Sequence, residues 1–215
     1  MTNISAKEIK NLVKENLDFS KKIKNYLHEN PELSSKEFET RKFLINECKK
    51  IGLEVEEVEN STGFVAILDT KRNGKILGLR TDIDALPIFE NEENLKGKKE
   101  VISKNPGVMH ACGHDFHMAL ALTSAKILSK IKNSLNGKIY FIFEEGEETG
   151  AGIHPMIESL KNIKFDAIYG NHIDTEIPTG KFAISKGKVY AGCAGVDFDV
   201  IGKGGHGSRP DLLIS

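Results

Sequence analysis

What most constrains the fold of this chain is an alternation. From residue 54 onward, short β-rich runs take turns with stretches whose apolar residues recur every three or four positions. The first pattern suits strands and the second amphipathic helices. Chains that alternate the two bury both by laying helices on the faces of a largely parallel sheet. Strands are expected at 54–58, 63–68, 76–81, 138–143 and 165–171, with others near 180–185 and 196–201. Helices are expected at 6–29, where Ile9, Leu12, Val13, Leu17, Ile23, Tyr26 and Leu27 make one apolar face, and at 115–130 and 150–160. A further helix at 35–51 is bracketed by Ser34 as N-cap and Gly52 as C-cap. The polar stretch 90–105 reads as an exposed loop. The pattern predicts an α/β fold, a three-layer α/β/α sandwich with a mostly parallel central sheet.

Composition narrows the function classes. With 215 residues, 39% of them hydrophobic, the chain can fill one sizeable core. A net charge of -1 leaves no basic excess for a nucleic acid or an anionic membrane. No window is long and apolar enough to span a bilayer. The first residues are polar and amphipathic, without the apolar core and cleavage site of a secretory signal. Three widely spaced cysteines, Cys48, Cys112 and Cys193, argue against a disulfide framework and for a reducing, cytoplasmic location.

The chemistry-bearing residues cluster where predicted strands give way to helices, the place where open α/β sheets bind ligands. Between His110 and His117 lie three histidines, Cys112 and Asp115. Cys112 and His114 stand two apart, a spacing that can aim both at one point, and Gly113 permits an unusual backbone between them. Thiolate and imidazole suit zinc and similar transition metals. A helix entry capped by Asp115, with solvated histidines, is the plainer alternative, and this density of donors disfavours it. Directly after the run 139–143 come Glu144, Glu145, Glu147 and Glu148. Carboxylates so crowded repel unless cations neutralise them. One could ligate a metal while its neighbour takes the proton of a water, although a solvated acidic loop would read the same way. His172 follows the next predicted strand and is a candidate ligand in that company. Asp82 and Asp84 leave the end of the run 76–81. One could orient a metal ligand from behind, or one could pair with Arg80 to shape a turn. In 202–210, glycines flank His206 and Arg209, but the stretch lacks the ending of a phosphate-binding loop.

Taken together, the stretches 28–33, 79–87 and 109–117, the pair Glu147 and Glu148, His172, and 202–210 resemble the aminoacylase and hippurate-hydrolase branch of the two-metal zinc peptidase superfamily. They run in that family's order across essentially the whole chain. The branch also holds indole-acetyl-amino-acid hydrolases and N-acetyl-diaminopimelate deacetylases. The resemblance implies that Cys112, His114, Glu148 and His172 bind two divalent ions, zinc or manganese, with cobalt and nickel as further candidates. It implies that Glu147 is the general base that activates a water and later protonates the leaving amine, and that Asp82 is the carboxylate behind the ligands. His206 would be a lid-domain histidine that reaches the substrate carbonyl of a neighbouring subunit. The implied layout is a zinc-exopeptidase-like catalytic domain over 1–191 and the beginning of an inserted α+β lid and dimerisation domain over 192–215. One departure is local: Glu144, Glu145 and Gly146 stand where many relatives carry glutamine, proline and alanine.

The expected reaction is hydrolysis of the amide bond of an N-acyl amino acid, with a homodimer as the intact enzyme. Relatives run to nearly twice this length and return from the lid with a last metal-binding histidine. On that comparison the chain is expected to be an N-terminal part, impaired or inactive alone. Two other readings stay open: a non-catalytic metal-binding or interaction module, and a metallo-carboxypeptidase or dipeptidase acting on short peptides.

Overall fold

The computed structural model describes residues 4–188 together with Phe198, Ile201 and Ser208. The chain divides into two compact units, Met1–Asp174 and Thr175–Ser215. In the first unit the helices are α1 (Ala6–Glu15), α2 (Leu17–Glu29), α3 (Phe38–Ile51), α4 (His114–Lys130) and α5 (Ile153–Leu160). The strands are β1 (Glu54–Glu57), β2 (Phe64–Asp69), β3 (Ile76–Asp82), β4 (Glu93–Asn94), β5 (Gly97–Lys98), β6 (Lys138–Glu144) and β7 (Ala167–Gly170). Five strands make one sheet in the order β1-β2-β6-β3-β7, and β4 pairs with β5. β3 is parallel to β6 and β7, whereas β2 is antiparallel to both β1 and β6. Within that sheet β2 is therefore the reversed strand and the others point one way.

Two apolar clusters sandwich the sheet. Phe64, Ala66 and Leu68 of β2 join Phe141 and Phe143 of β6 against Leu27, Leu44, Met118 and Leu122 of the helices α2, α3 and α4. The alternate residues Val65, Ile67, Tyr140 and Ile142 pack with Met156 of α5 on the other face. Side chains along a strand alternate between faces. Because both faces of β2 and β6 are covered, their sequences read as unbroken apolar runs. The expected α/β/α layering is what the chain adopts.

Several expected boundaries move. The single helix over 6–29 is two, because Asn16 (φ -107, ψ 6) interrupts it. Its Nδ2 donates to the Leu12 carbonyl at 2.8 Å. A side chain that offers the backbone a local partner competes with the helical ladder, and the apolar periodicity runs through the break without registering it. Helix α3 starts at Phe38, and Ser34 is not its cap: the Ser34 hydroxyl donates to Asp84 at 2.6 Å. The Glu32 carboxylate instead accepts the N–H groups of Glu39 and Thr40 at 3.3 and 2.7 Å. Gly52, with φ 86, closes α3 as expected. A 3-10 turn at Glu147–Thr149 precedes α5, which begins at Ile153. The polar stretch 90–105 is loop apart from the short β4–β5 pair.

In the second unit the described residues include no helix or strand. The strand expected over 180–185 is absent, and Phe182 and Ile184 are exposed. A strand needs a partner's ladder, which β propensity alone does not supply. The boundary expected at 191/192, Cys193 and His206 lie outside the described residues, as does nearly all of 196–201 and 202–210. No helix among the described residues is long and apolar enough to cross a membrane.

Candidate metal centre

Gly113 is the pivot of the site. It is the N-cap of α4, in the left-handed region at φ 87. A Cβ added there would lie 2.1 Å from Ile173 Cδ1. Only glycine lets the segment after β7, which carries His172 and Ile173, settle against the turn between Cys112 and His114. Cys112 Sγ stands 3.3 Å from His172 Nε2.

His114 opens α4 and is fully buried. Its Nδ1 lies 2.9 Å from the Asp84 carbonyl oxygen and 3.1 Å from Asp84 Oδ1. Both are acceptors, so Nδ1 carries a proton, and in the neutral ring Nε2 presents a lone pair. That Nε2 is buried without a hydrogen-bond partner, and so is Glu148 Oε1, 3.7 Å away. Asp82 Oδ2 and Glu147 Oε2 stand 3.7 and 3.9 Å from the same nitrogen. Buried acceptors facing one another with no proton between them are costly, and a cation among them removes that cost. The donor atoms of Cys112, His114 and His172 lie within 4.8 Å of one another, as do those of Asp82, His114 and His117. Thiol, imidazole and carboxylate in one cluster fit zinc or a similar divalent metal.

The two aspartates at the end of β3 have separate tasks. Asp84 Oδ2 accepts the Ser34 hydroxyl at 2.6 Å and the Glu148 N–H at 3.0 Å. One carboxylate thus orients the His114 ring and the backbone of Glu148 together. Asp82 Oδ2 accepts from Arg80 at 2.9 Å and Oδ1 accepts from His117 Nδ1 at 2.7 Å. His117 Nε2 in turn accepts the Ile173 N–H at 3.0 Å. Asp82 therefore holds, through His117, the segment bearing His172. The resemblance implies Asp82 as the carboxylate behind the ligands; in the fold it is Asp84 that sits behind the His114 ring, while Asp82 pairs with Arg80 and His117.

Burial favours the neutral form of Asp82, but the His117 hydrogen bond and the charge of Arg80 outweigh it and hold the carboxyl at about 2. Burial, and then the negative charge of Asp82, raise Glu147 above the usual carboxylate range. Burial and the Glu148 charge push the Cys112 thiol up to about 12, a balance that a cation in contact reverses.

Around this core, His28 bridges Asp115 at 2.8 Å and Glu90 at 3.0 Å. Asp115 follows His114 in the first turn of α4, so α2 is tied to the start of the helix that His114 opens. Sequence reading flagged the stretches holding His28, Asp115 and His117 but not these contacts. His28 and Asp115 are 87 positions apart, and no local pattern signals such a pair. His206 lies outside the described residues.

The model of peptidase family M20/M25/M40 matches residues 78–209. Among curated proteins, the chain is 42% identical over 212 residues to thermostable carboxypeptidase 2 of Saccharolobus solfataricus, covering 97% of this chain and 53% of that protein. It is 38% identical over 188 residues to N-acetyl-L-cysteine deacetylase of Bacillus subtilis, covering 87% of this chain and 44% of that protein. Among solved structures, a Bacillus subtilis protein described as a dinuclear metal-binding peptidase from the M20 family superposes with a TM-score of 0.70 at 35% identity, covering 78% of this chain and 46% of the other. The chain spans about half the length of the curated relatives it matches.

Proposed function

The chain belongs to peptidase family M20/M25/M40, and on that premise we propose that its site serves a two-metal hydrolase that cleaves the amide bond of N-acyl amino acids. Cys112, His114, Glu148 and His172 are the proposed ligands. The observation that carries this reading is the pair of buried, unpartnered acceptors, His114 Nε2 and Glu148 Oε1, 3.7 Å apart. Two divalent ions, zinc or manganese with cobalt and nickel as further candidates, supply Lewis acidity toward the amide carbonyl and toward water when bound.

The chain's own residues do the rest. Glu147 is the proposed general base. Its carboxyl faces the cluster, and its raised proton affinity suits a group that takes a proton from water and returns it to the leaving amine. Asp84 keeps His114 in the tautomer that presents Nε2. Asp82 and His117 hold the His172 segment. His206 is proposed to support the developing oxyanion, in a homodimer.

Replacing Glu147 with glutamine tests the assignment. In the full-length enzyme, with Zn²⁺ or Mn²⁺ and N-acetyl or N-benzoyl amino acids, Glu147→Gln should lower kcat by roughly 10²–10⁴-fold while metal content stays unchanged. Near-normal turnover would overturn the base assignment. A second reading, a metallo-carboxypeptidase on short peptides, is favoured by the 42% identity to a thermostable carboxypeptidase. Higher kcat/KM on peptides than on N-acyl amino acids would select it. Metal binding without turnover on either would favour a non-catalytic module.

A further inference from the structure

Behind the paired glutamates lies a second acidic contact that the reaction does not use. Glu37, at the N-cap of α3, is completely buried, and Glu145, at the end of β6, is nearly so. Both reach one hydroxyl: Thr62 Oγ1 is 2.6 Å from Glu37 Oε2 and 2.7 Å from Glu145 Oε2. Glu145 Oε2 also accepts the Thr62 N–H. The other oxygen of Glu37, Oε1, accepts the N–H of Gly146 at 2.8 Å.

Counting protons decides the state of this group. A hydroxyl has one hydrogen to give. If both carboxyls were ionised, one of the two short contacts would set lone pair against lone pair in a buried site. The contacts are both satisfied when one carboxyl is protonated and donates to Thr62, and Thr62 donates to the other. The Glu145 oxygen that meets the hydroxyl, Oε2, also accepts the Thr62 N–H, whereas the Gly146 N–H reaches the other oxygen of Glu37, Oε1, so the proton sits on Glu37 Oε2. The charged groups that face the pair are few. Arg41, Glu57 and Glu59 line the neighbouring cleft among the described residues, and Arg41 is engaged by Glu57.

We infer that Glu37 is protonated in the folded protein and acts, through Thr62 and Gly146, as a positioning residue that fixes the loop bearing Glu147 and Glu148. This rests on the proposed function only for the importance of that loop; the proton itself is a property of the fold. Burial raises Glu37 above the usual carboxylate range despite its hydrogen bonds, in agreement with the contact geometry.

The sign of the pH effect follows from linkage. A carboxyl raised on folding makes the native state bind the extra proton, so its contribution to stability falls as pH rises from the ordinary glutamate value to the raised one. Most native carboxylates act in the opposite sense. Glutamine is a close match for a protonated Glu37, since its amide can donate to Thr62 while its carbonyl accepts from Gly146. The experiment uses the full chain without added metal. The thermal midpoint is followed against pH for wild type, Glu37→Gln and Thr62→Val, with amide hydrogen exchange of the segment containing Gly146 read alongside.

Glu37→Gln should keep or raise the midpoint, lose the wild-type decline across that pH window, and leave Gly146 protected. Thr62→Val should lower the midpoint and raise exchange at Gly146 several-fold. If Glu37→Gln lowered the midpoint at every pH and unprotected Gly146 as much as Thr62→Val, Glu37 would be an ionised acceptor and the inference would fall. Neither readout needs turnover, so a failure of the hydrolase reading would leave this result standing, and the reverse.

Discussion

Asp84 shows how much one buried side chain can decide. Its carboxylate meets the His114 ring, the Glu148 amide and the Ser34 hydroxyl. Asparagine there would keep the size but lose the charge and present an N–H to one of three donors. Asp84→Asn should weaken binding of Zn²⁺ or Mn²⁺ by roughly 10–100-fold, the usual cost of disturbing a group that orients a ligand. Calorimetric titration of the metal measures it, and unchanged affinity would remove Asp84 from the site. Cys112 and His114 stood out in the sequence because they crowd with other donors at a predicted helix entry, and Glu148 and His172 because they follow predicted strands. The part played by Asp84 did not: the resemblance points to Asp82, both occupy the same strand end, and only the fold shows that the His114 ring meets Asp84.

At the scale of elements, the start of α4 and the segment after β7 fit because Gly113 has no side chain. Gly113→Ala adds a left-handed alanine, costing about 1–3 kcal/mol, and drives its Cβ into Ile173. The double variant with Ile173→Ala should recover the clash but not the backbone strain, and a denaturant cycle separates the two. Full recovery would mean that the backbone conformation carries no cost. Helix α2 is joined to α4 by His28, whose proton affinity is raised chiefly by the Asp115 hydrogen bond. That stabilisation is complete below the ordinary histidine value and is lost as pH rises through the raised one. His28→Gln should therefore be less stable than wild type at mildly acidic pH, with the gap narrowing toward alkaline pH. A constant gap would argue against a charged His28. Strand positions were legible because β2 and β6 carry apolar side chains on both faces. The break at Asn16 and the late start of α3 were not, because each is set by a side-chain hydrogen bond that periodicity does not encode.

For the whole molecule, the sheet ends on β7, which pairs with β3 alone among the described residues and leaves Ile168 and Tyr169 exposed. An apolar strand edge invites pairing with another chain. The isolated 215-residue chain should self-associate as concentration rises, and Ile168→Lys should suppress this in light scattering; identical behaviour of both would clear β7. The general architecture was readable from alternation, but which strands neighbour which was not, since the order β1-β2-β6-β3-β7 depends on contacts between distant residues. The donors around His114 come from the end of β6, the mouth of α4 and the segment after β7, places that meet only when the sheet has closed. An unfolded chain scatters them, so ion capture and folding draw on a single equilibrium. At a free metal concentration of 100 times the Kd of the proposed site, the native state would gain about 2.7 kcal/mol, and chelation would surrender it. On the proposed site, melting temperature becomes a gauge of metal supply, and a shortage of the bound ion leaves less of this protein in its native form.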